Sequence, residues 1–450
     1  MTPTRFEPSG PLRGALRPPP DKSISHRAAI LAAMAEGHST VADYLDSADT
    51  RSTLEAVRAL GCRVEEQPAA RPGALDLRLD GIGLRGPGAG AGAELTLDVG
   101  NAGTLLRLLP GWLAGQERGS WTLDGDESIR RRPVDRVTEP LRQMGASVEC
   151  RDERLPPLRV RGAPLRGISY RLPVASAQVK SCVLLAGLLA EGVTAVIEPA
   201  PSRDHTERML AAAGVEVTSA TEGPGLAARG RLPARRLAVG PQDRLAPLEL
   251  EVPGDLSSGA FFAVAALIVP GSRVRLEGVG LNPTRVGLLG ILNRMGAAIE
   301  VEEGIPTGGE PRGTLDARHS RLRGTRVAAG EVPPAIDELP LVALAACFAE
   351  GETVVTGAAE LRHKESDRIA AVVAAVNALG GDADALEDGF VVRGTGGLRG
   401  GRVDSGGDHR LAMLGAIAGL ASRDGAEVAG MDAAAVSYPG FEPDLGALLG

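Results

Sequence analysis

The chain repeats itself. An apolar, helix-like segment that stops at a glycine and runs into a short strand-like stretch occurs six times. The copies are SISHRAAILAAMAEG, NAGTLLRLLPGWLAG, SAQVKSCVLLAGLLAEG, DLSSGAFFAVAALIVPG, IDELPLVALAACFAEG and DHRLAMLGAIAGLASRDG. Their last glycines, Gly37, Gly115, Gly192, Gly271, Gly351 and Gly425, lie 74 to 80 residues apart. Such a period constrains the fold more than any composition, because each copy must build the same supersecondary unit. A second helical segment follows each first one and stops at Gly61, Gly145, Gly214, Gly296, Gly380 and Gly450. Glycine just past the last periodic residue is the expected helix stop. Strands such as CRVEE, ASVEC, VEVTS and AAIEV follow directly, so each unit reads as βαβαββ.

The first helix of each unit is apolar nearly all round and should be buried; the second is amphipathic and should lie outside. Six buried helices with six small sheets predict an α/β (α+β) fold of two domains, each with three βαβαββ units around buried parallel helices. The sixth unit lacks its closing strands, which residues 1–20 are expected to supply. Residues 1–20 plus 253–450 then form one domain and residues 21–252 the other, with crossovers near Pro20–Asp21 and Val252–Gly254.

Composition excludes several functions. The net charge is −8 and only 11 of 450 residues are aromatic, which argues against nucleic-acid and anionic-membrane surfaces. No apolar run approaches the ~20 residues of a membrane span, and the first 20 residues lack an apolar signal core. Cys62, Cys150, Cys182 and Cys347 are far apart with no CxxC, which fits a reducing compartment. The expectation is a soluble, cytoplasmic protein.

Basic residues are distributed unevenly: 46 are arginine and three are lysine, namely Lys22, Lys180 and Lys364. Lysine can be tuned or serve as a compact charge where arginine cannot, and all three lie in the segments that matter here. The buried helices begin with polar residues: Lys22, Ser23 and Arg27; Asn101 and Thr104; Ser176 and Gln178; Asp255, Ser257 and Ser258; Asp337; Asp408 and Arg410. Ordinary N-capping accounts for the Ser, Asn and Asp among them. Cations in a first turn oppose the helix dipole, so Lys22, Arg27 and Arg410 point instead to bound anions. GDESIRRRPVDR concentrates Arg130, Arg131 and Arg132, and KESDR places Lys364, Glu365, Asp367 and Arg368 before a helix. The first reads equally as a solvated loop, and Glu365 and Asp367 equally as first-turn acids. Asp337 and Glu338 open an almost wholly apolar helix, where a carboxylate must be paired and can serve as a tuned base. GNAG around Gly100–Gly103 is neither a Walker A loop nor GxGxxG, and no GxSxG or HExxH pattern occurs, so neither a metal nor an organic cofactor is expected.

DKSISHRA, GNAGTLLRLL, GDESIRRRPVDR, SAQVKS, SRDHTERM, PGDLSS, NPTR, IDELP, LRHKESDR and DHRLAM occur in the order and spacing of the 5-enolpyruvylshikimate-3-phosphate synthases. The chain resembles that family nearly end to end, and its divergent bacterial branch most. The resemblance implies the enolpyruvyl transferase fold, two domains closing over substrates. It implies transfer of the enolpyruvyl group of phosphoenolpyruvate to the 5-hydroxyl of shikimate 3-phosphate, on the route to chorismate and the aromatic amino acids. Carried over, shikimate 3-phosphate would contact Lys22, Ser23, Arg27, Ser176, Ala177, Gln178, Arg203, Asp337 and Lys364. Phosphoenolpyruvate would contact Lys22, Gly103, Arg132, Gln178, Arg368 and Arg410. Asp337 would take the hydroxyl proton, while Glu365 with Lys22 would handle the proton at the methylene carbon. Monomeric action and inhibition by glyphosate are the family defaults.

One departure stands out. The enterobacterial branch carries a substrate-binding lysine three residues before a Phe-Pro near the C-terminus; here Val436 and Tyr438 stand in AAAVSYPGF. One cationic contact is therefore missing. The nearest rival, UDP-N-acetylglucosamine enolpyruvyl transferase, carries a loop cysteine where this chain has Glu127 and its neighbours, and Lys-Asn where this chain has Lys22-Ser23. A non-catalytic metabolite-binding protein of the same fold would need neither Asp337 nor Glu365.

Overall fold

The computed structural model describes residues 3–86, 94–222 and 234–450. The repeat is visible as helix pairs: α1 (Lys22–Met34) and α2 (Ala48–Ala59), α3 (Gly103–Ala114) and α4 (Asp135–Gln143), α5 (Ala177–Gly187) and α6 (His205–Ala212). The second half continues with α7 (Leu256–Ile268) and α8 (Gly287–Arg294), α9 (Leu339–Cys347) and α10 (Arg368–Ala378), α11 (His409–Ala421) and α12 (Phe441–Leu449). As the apolar pattern demands, every residue of α7 and α9 is buried, whereas α2, α8 and α10 bury one face.

The glycine stops work by one geometry. After α2, α4, α6, α8 and α10 the glycine has φ between 83° and 107°. In each case the next residue's N–H returns to a carbonyl in the last turn, as from Cys62 to Val57 at 3.0 Å and from Val215 to Leu210 at 2.9 Å. This is the Schellman closure, and a side chain at that φ would be strained. Small residues also set helix spacing: Gly111 of α3 lies against the Cys182 carbonyl of α5 with no room for a methyl group.

Among the described residues, five of the six sheets have four strands, and their shared plan confirms the βαβαββ reading. In the second unit, Glu94–Asp98 runs parallel to Ser120–Asp124, which pairs antiparallel with Leu155–Arg161, itself antiparallel to Ser147–Arg151. The third unit follows the plan, with its third strand starting at Thr218 rather than at Val215.

Residues 1–20 behave differently from expectation. Only Thr4–Phe6 serves unit six, pairing antiparallel with Ala426–Ala429 as the last strand of a three-stranded sheet. Arg13–Leu16 instead opens unit four, parallel to Arg273–Gly280. Reciprocally, Glu249–Glu251 opens unit one, parallel to Glu36–Leu45. The strands preceding α1 and α7 are thus exchanged between halves, and each sheet gains the parallel partner that its buried helix must cross over. The exchange points bind each other: Asp21 N–H donates to Pro253 O and Asp255 N–H to Pro19 O, both at 2.8 Å.

The apolar interior forms two clusters. One runs from Ile24 to Val252; the other joins Phe6 and Leu12 to residues between Leu256 and Leu448. Burial at about 25 cal/mol per Å² is supplied mainly by Ala, Leu and Val, with Phe262, Tyr438 and Phe441 forming a ring cluster under the C-terminal segment. Among the described residues no helix is long and apolar enough to cross a membrane.

Candidate active site

A cleft of about 360 Å³ lies where the two halves meet. Every residue that the resemblance singled out lines it: Lys22, Ser23, Arg27, Gly103, Arg132, Ser176, Ala177, Gln178 and Arg203 from the first half, Asp337, Lys364, Glu365, Arg368 and Arg410 from the second. The cause is topological. The N-terminal ends of α1, α3, α5, α7, α9 and α11 all open on the cleft, so free backbone N–H groups and six dipoles converge there. Such a place favours anions.

Capping and binding share these ends. Asp21 accepts from Ile24 N–H at 3.0 Å, Asp255 from Ser257 N–H and Asp408 from Arg410 N–H at 2.9 Å, and Ser176 from Val179 N–H at 3.4 Å. Those acids and Ser176 are caps, as composition suggested. Lys22, Arg27 and Arg410 are not.

Three cleft-lining guanidiniums of the first half have no carboxylate within ion-pair distance among the described residues. Arg27 donates to Thr206 Oγ1 at 2.7 Å and to Ser181 Oγ and the Ser23 carbonyl at 3.0 Å. Arg107 donates to Gln178 Oε1 at 3.3 Å and the Pro133 carbonyl at 3.1 Å, and Arg132 to Asn101 Oδ1 at 2.7 Å. Burial pulls Arg107 down to about 10, helped by Arg132 and Arg136 beside it. Burial also lowers Arg27 to about 10 against the opposing pull of Glu207. Cations that are buried, as Arg27 is, or half-buried, as Arg107 and Arg132 are, and held only by neutral groups are a standing demand for an anion.

The second half carries the acids. Asp337 is paired with Arg203 across the cleft, and lies 3.3 Å from Arg368 Nη1, 3.7 Å from Lys364 Nζ and 3.8 Å from Arg410 Nη2. Burial would raise its pKa, but Lys364, Arg203, Arg410 and Arg368 together hold it well below the ordinary carboxylate range. Glu365, 2.6 Å from Arg368 Nη2, is likewise brought to about 2 by Arg368 and His409 against burial. Asp408 fixes Arg368 from behind, at 2.8 Å from Nε. Lys22 pairs with Asp49 at 3.1 Å, on the α2 side of the cleft.

Not every charged residue of these segments enters the cleft. Of the three lysines, Lys180 does not reach the cleft; it is fully buried between Glu198 and Glu207. Asp367 of KESDR caps α10 through Ala370 N–H and pairs with Arg362 instead of entering the site. The cleft also uses Asp49, Arg107 and Arg285, which sequence reasoning left out. Arg107 carried a signal, since it follows Gly103 by four residues and so shares its helix face. Val436 is exposed and Ser437 lines the cleft, so no cation projects from that segment.

Comparison with known proteins agrees with this geometry. The model of the EPSP synthase (3-phosphoshikimate 1-carboxyvinyltransferase) family matches residues 6–445. A 3-phosphoshikimate 1-carboxyvinyltransferase of Thermus thermophilus is 50% identical over 98% of this chain and 97% of its own. One of Methylococcus capsulatus is 48% identical over 96% of this chain and 94% of its own. The solved EPSP synthase of Acinetobacter baumannii superposes with a TM-score of 0.87 at 40% identity, over 100% of this chain and 98% of that one. With two halves of three repeated units each and the family's motifs gathered in the cleft between them, the chain belongs to the EPSP synthase family.

Proposed function

We propose that the cleft adds the 5-hydroxyl of shikimate 3-phosphate to C2 of phosphoenolpyruvate and then expels phosphate, giving 5-enolpyruvylshikimate 3-phosphate. The observation that carries this reading is the pairing of carboxylate-free guanidiniums with two ionised acids in one cleft. Arg27, Arg203 and Lys364, with the Ser176–Gln178 helix start, would hold shikimate 3-phosphate. Arg132, Arg368 and Arg410, with Lys22, would hold the carboxylate and phosphate of phosphoenolpyruvate, for which the guanidinium fork is suited. Arriving anions compete for the cations around Asp337 and so restore its basicity towards the hydroxyl proton. Glu365 with Lys22 would handle the proton at the methylene carbon: Lys22 would supply it in the addition, and the ionised Glu365 would take one in the elimination and return it to Lys22. Closing the cleft would exclude water and strengthen each contact.

Phosphate release from phosphoenolpyruvate, followed in EDTA with either acceptor, tests this. Release is expected with shikimate 3-phosphate only, and lost in Asp337→Ala and Glu365→Ala. Release with UDP-N-acetylglucosamine instead would overturn the acceptor assignment. Saturable binding without turnover would mark a non-catalytic protein.

Action as a monomer and a cytoplasmic location remain part of the proposal, and the location fits a reaction fed by phosphoenolpyruvate. Glyphosate, a small anion, would compete for the Arg107–Arg132 region. A Cβ at Gly103 would stand 3.0 Å from Arg107 Nη1 and 3.1 Å from Arg132 Nη1. The methyl group would push both guanidinium tips off the positions an anion needs, so Gly103→Ala should raise the inhibition constant by about tenfold or more. Unchanged inhibition in a steady-state titration would remove Gly103 from the inhibitor site.

The division into 21–252 and 1–20 plus 253–450 is also our proposal, supported by the paired core clusters and by the strand Glu249–Glu251 that completes unit one. A fragment of residues 21–252 is expected to unfold cooperatively on heating with native near-ultraviolet dichroism. A non-cooperative melt would sink that boundary.

A further inference from the structure

Behind the first-half wall of the cleft lies a cluster of buried charge that the reaction does not use. Lys180 Nζ, in α5, is 3.0 Å from Glu198 Oε2, 2.7 Å from Glu207 Oε1 and 3.3 Å from the Ser202 carbonyl. Lys180 and Glu198 are wholly inaccessible and Glu207 nearly so. Burying three charges gains little or nothing in stability over an apolar trio of the same shape, so the cluster's contacts must explain it.

Each member touches or adjoins a residue that sets a cleft cation. Glu198 Oε2 accepts from Ser202 N–H at 3.1 Å and Ser202 Oγ at 2.6 Å, and Ser202 is followed by Arg203. Glu207 follows Thr206, whose hydroxyl accepts from Arg27 Nε at 2.7 Å. Lys180 precedes Ser181, whose hydroxyl meets Arg27 Nη2 at 3.0 Å and Thr206 Oγ1 at 2.6 Å. One lysine therefore ties the ends of α5, of the strand Thr194–Glu198 and of α6 together beneath Arg27 and Arg203. Glu207 is also the strongest charge opposing the burial of Arg27. No hydrogen bond or ion pair joins the cluster to Arg132, Arg368 or Arg410 among the described residues.

We propose that Lys180, Glu198 and Glu207 form a positioning unit for the shikimate 3-phosphate side of the cleft, setting Arg203 through Ser202 and Arg27 through Ser181 and Thr206. This rests on the substrate assignment above. A positioning unit for one substrate must separate the two Michaelis constants; a merely structural cluster lowers stability without separating them.

The test measures kcat, both KM values and Tm for the wild type, Glu198→Gln and Ser202→Ala. Ser202→Ala leaves the Lys180–Glu198 pair intact, so it guards against misfolding of the charge variant. Loss of a hydrogen bond to a buried carboxylate is expected to raise KM for shikimate 3-phosphate about tenfold in Glu198→Gln and about fivefold in Ser202→Ala. KM for phosphoenolpyruvate should stay within about twofold in both. Equal rises in both KM values, or wild-type KM for shikimate 3-phosphate in Ser202→Ala and Glu198→Gln alike, would overturn the proposal while leaving the substrate assignment standing. A wild-type enzyme that releases no phosphate with shikimate 3-phosphate would overturn the assignment, and this inference with it.

Discussion

Asp337→Asn should lower kcat by about 10³-fold, the middle of the range for removing a positioned proton acceptor, while binding of both anionic substrates is retained or tightened. Two facts of the cleft force the second half of that expectation. Asp337 is ringed by Arg203, Lys364, Arg368 and Arg410, and those same cations would hold the substrates. In the free enzyme the carboxylate acts as a resident competitor for them. Removing its charge frees the cations as it removes the base. Calorimetric binding of shikimate 3-phosphate, set beside steady-state turnover, separates the two effects. A variant within about tenfold of wild-type kcat would remove Asp337 from proton transfer, and weakened binding would show that its charge orders the cations more than it occupies them.

The largest effect on stability is expected away from the reacting atoms. Arg285→Met should cost about 3–5 kcal/mol, because it leaves two buried acids unpaired. Arg285 donates to Asp21 Oδ2 and Asp255 Oδ1 at 2.9 Å and to Ser257 Oγ at 2.6 Å. Asp21 and Asp255 cap α1 and α7 at the two strand-exchange points, so one guanidinium neutralises both crossovers. Asn caps as well as Asp. Asp21→Asn and Asp255→Asn added to Arg285→Met should therefore recover most of the loss; a triple variant no more stable than the single one would show that Arg285 acts otherwise.

The same contact sets an acid dependence. Burial pushes the Asp21 carboxyl up, but Arg285 and His205 bring it down to about 2, whereas an unfolded Asp titrates near about 3.9. A folded pKa below the unfolded one gives stabilisation that is full above about pH 4 and is lost as pH falls towards 2. Glu365, also at about 2, adds in the same direction. Thermal melts between pH 5 and 3 should therefore show wild-type stability falling faster with acid than that of Arg285→Met, in which the largest charge opposing burial at Asp21 is gone. Parallel curves would contradict the pairing.

Much of this protein could be read from its residues in order, and the reason is locality. Helix periodicity, glycine stops and caps depend on neighbours within four or five positions, so α1 to α12 and the Schellman closures at Gly61, Gly145, Gly214, Gly296 and Gly380 are written where they occur. The cleft residues were legible because six copies of one unit must place six equivalent helix starts at one end, and the family motifs fall on those starts. The fate of individual charges was not legible. Lys22 and Lys180 both sit in α-helical segments rich in motif residues, yet one faces the cleft and the other lies between two glutamates, and only the packing of α5 on the strand Thr194–Glu198, with Glu207 of α6 reaching in, separates them.

The sequence by itself determined the repeat, the helices and where they stop, and which residue types stand at the cleft-facing ends. The tertiary structure decided the exchange of Arg13–Leu16 and Glu249–Glu251 between halves, the bridging of Asp21 and Asp255 by Arg285, and the enclosure of Asp337 by cations from both halves. Each of those joins positions more than 25 residues apart and half span over 100, and contact between such positions is set by which surfaces must be buried together, which no local pattern encodes.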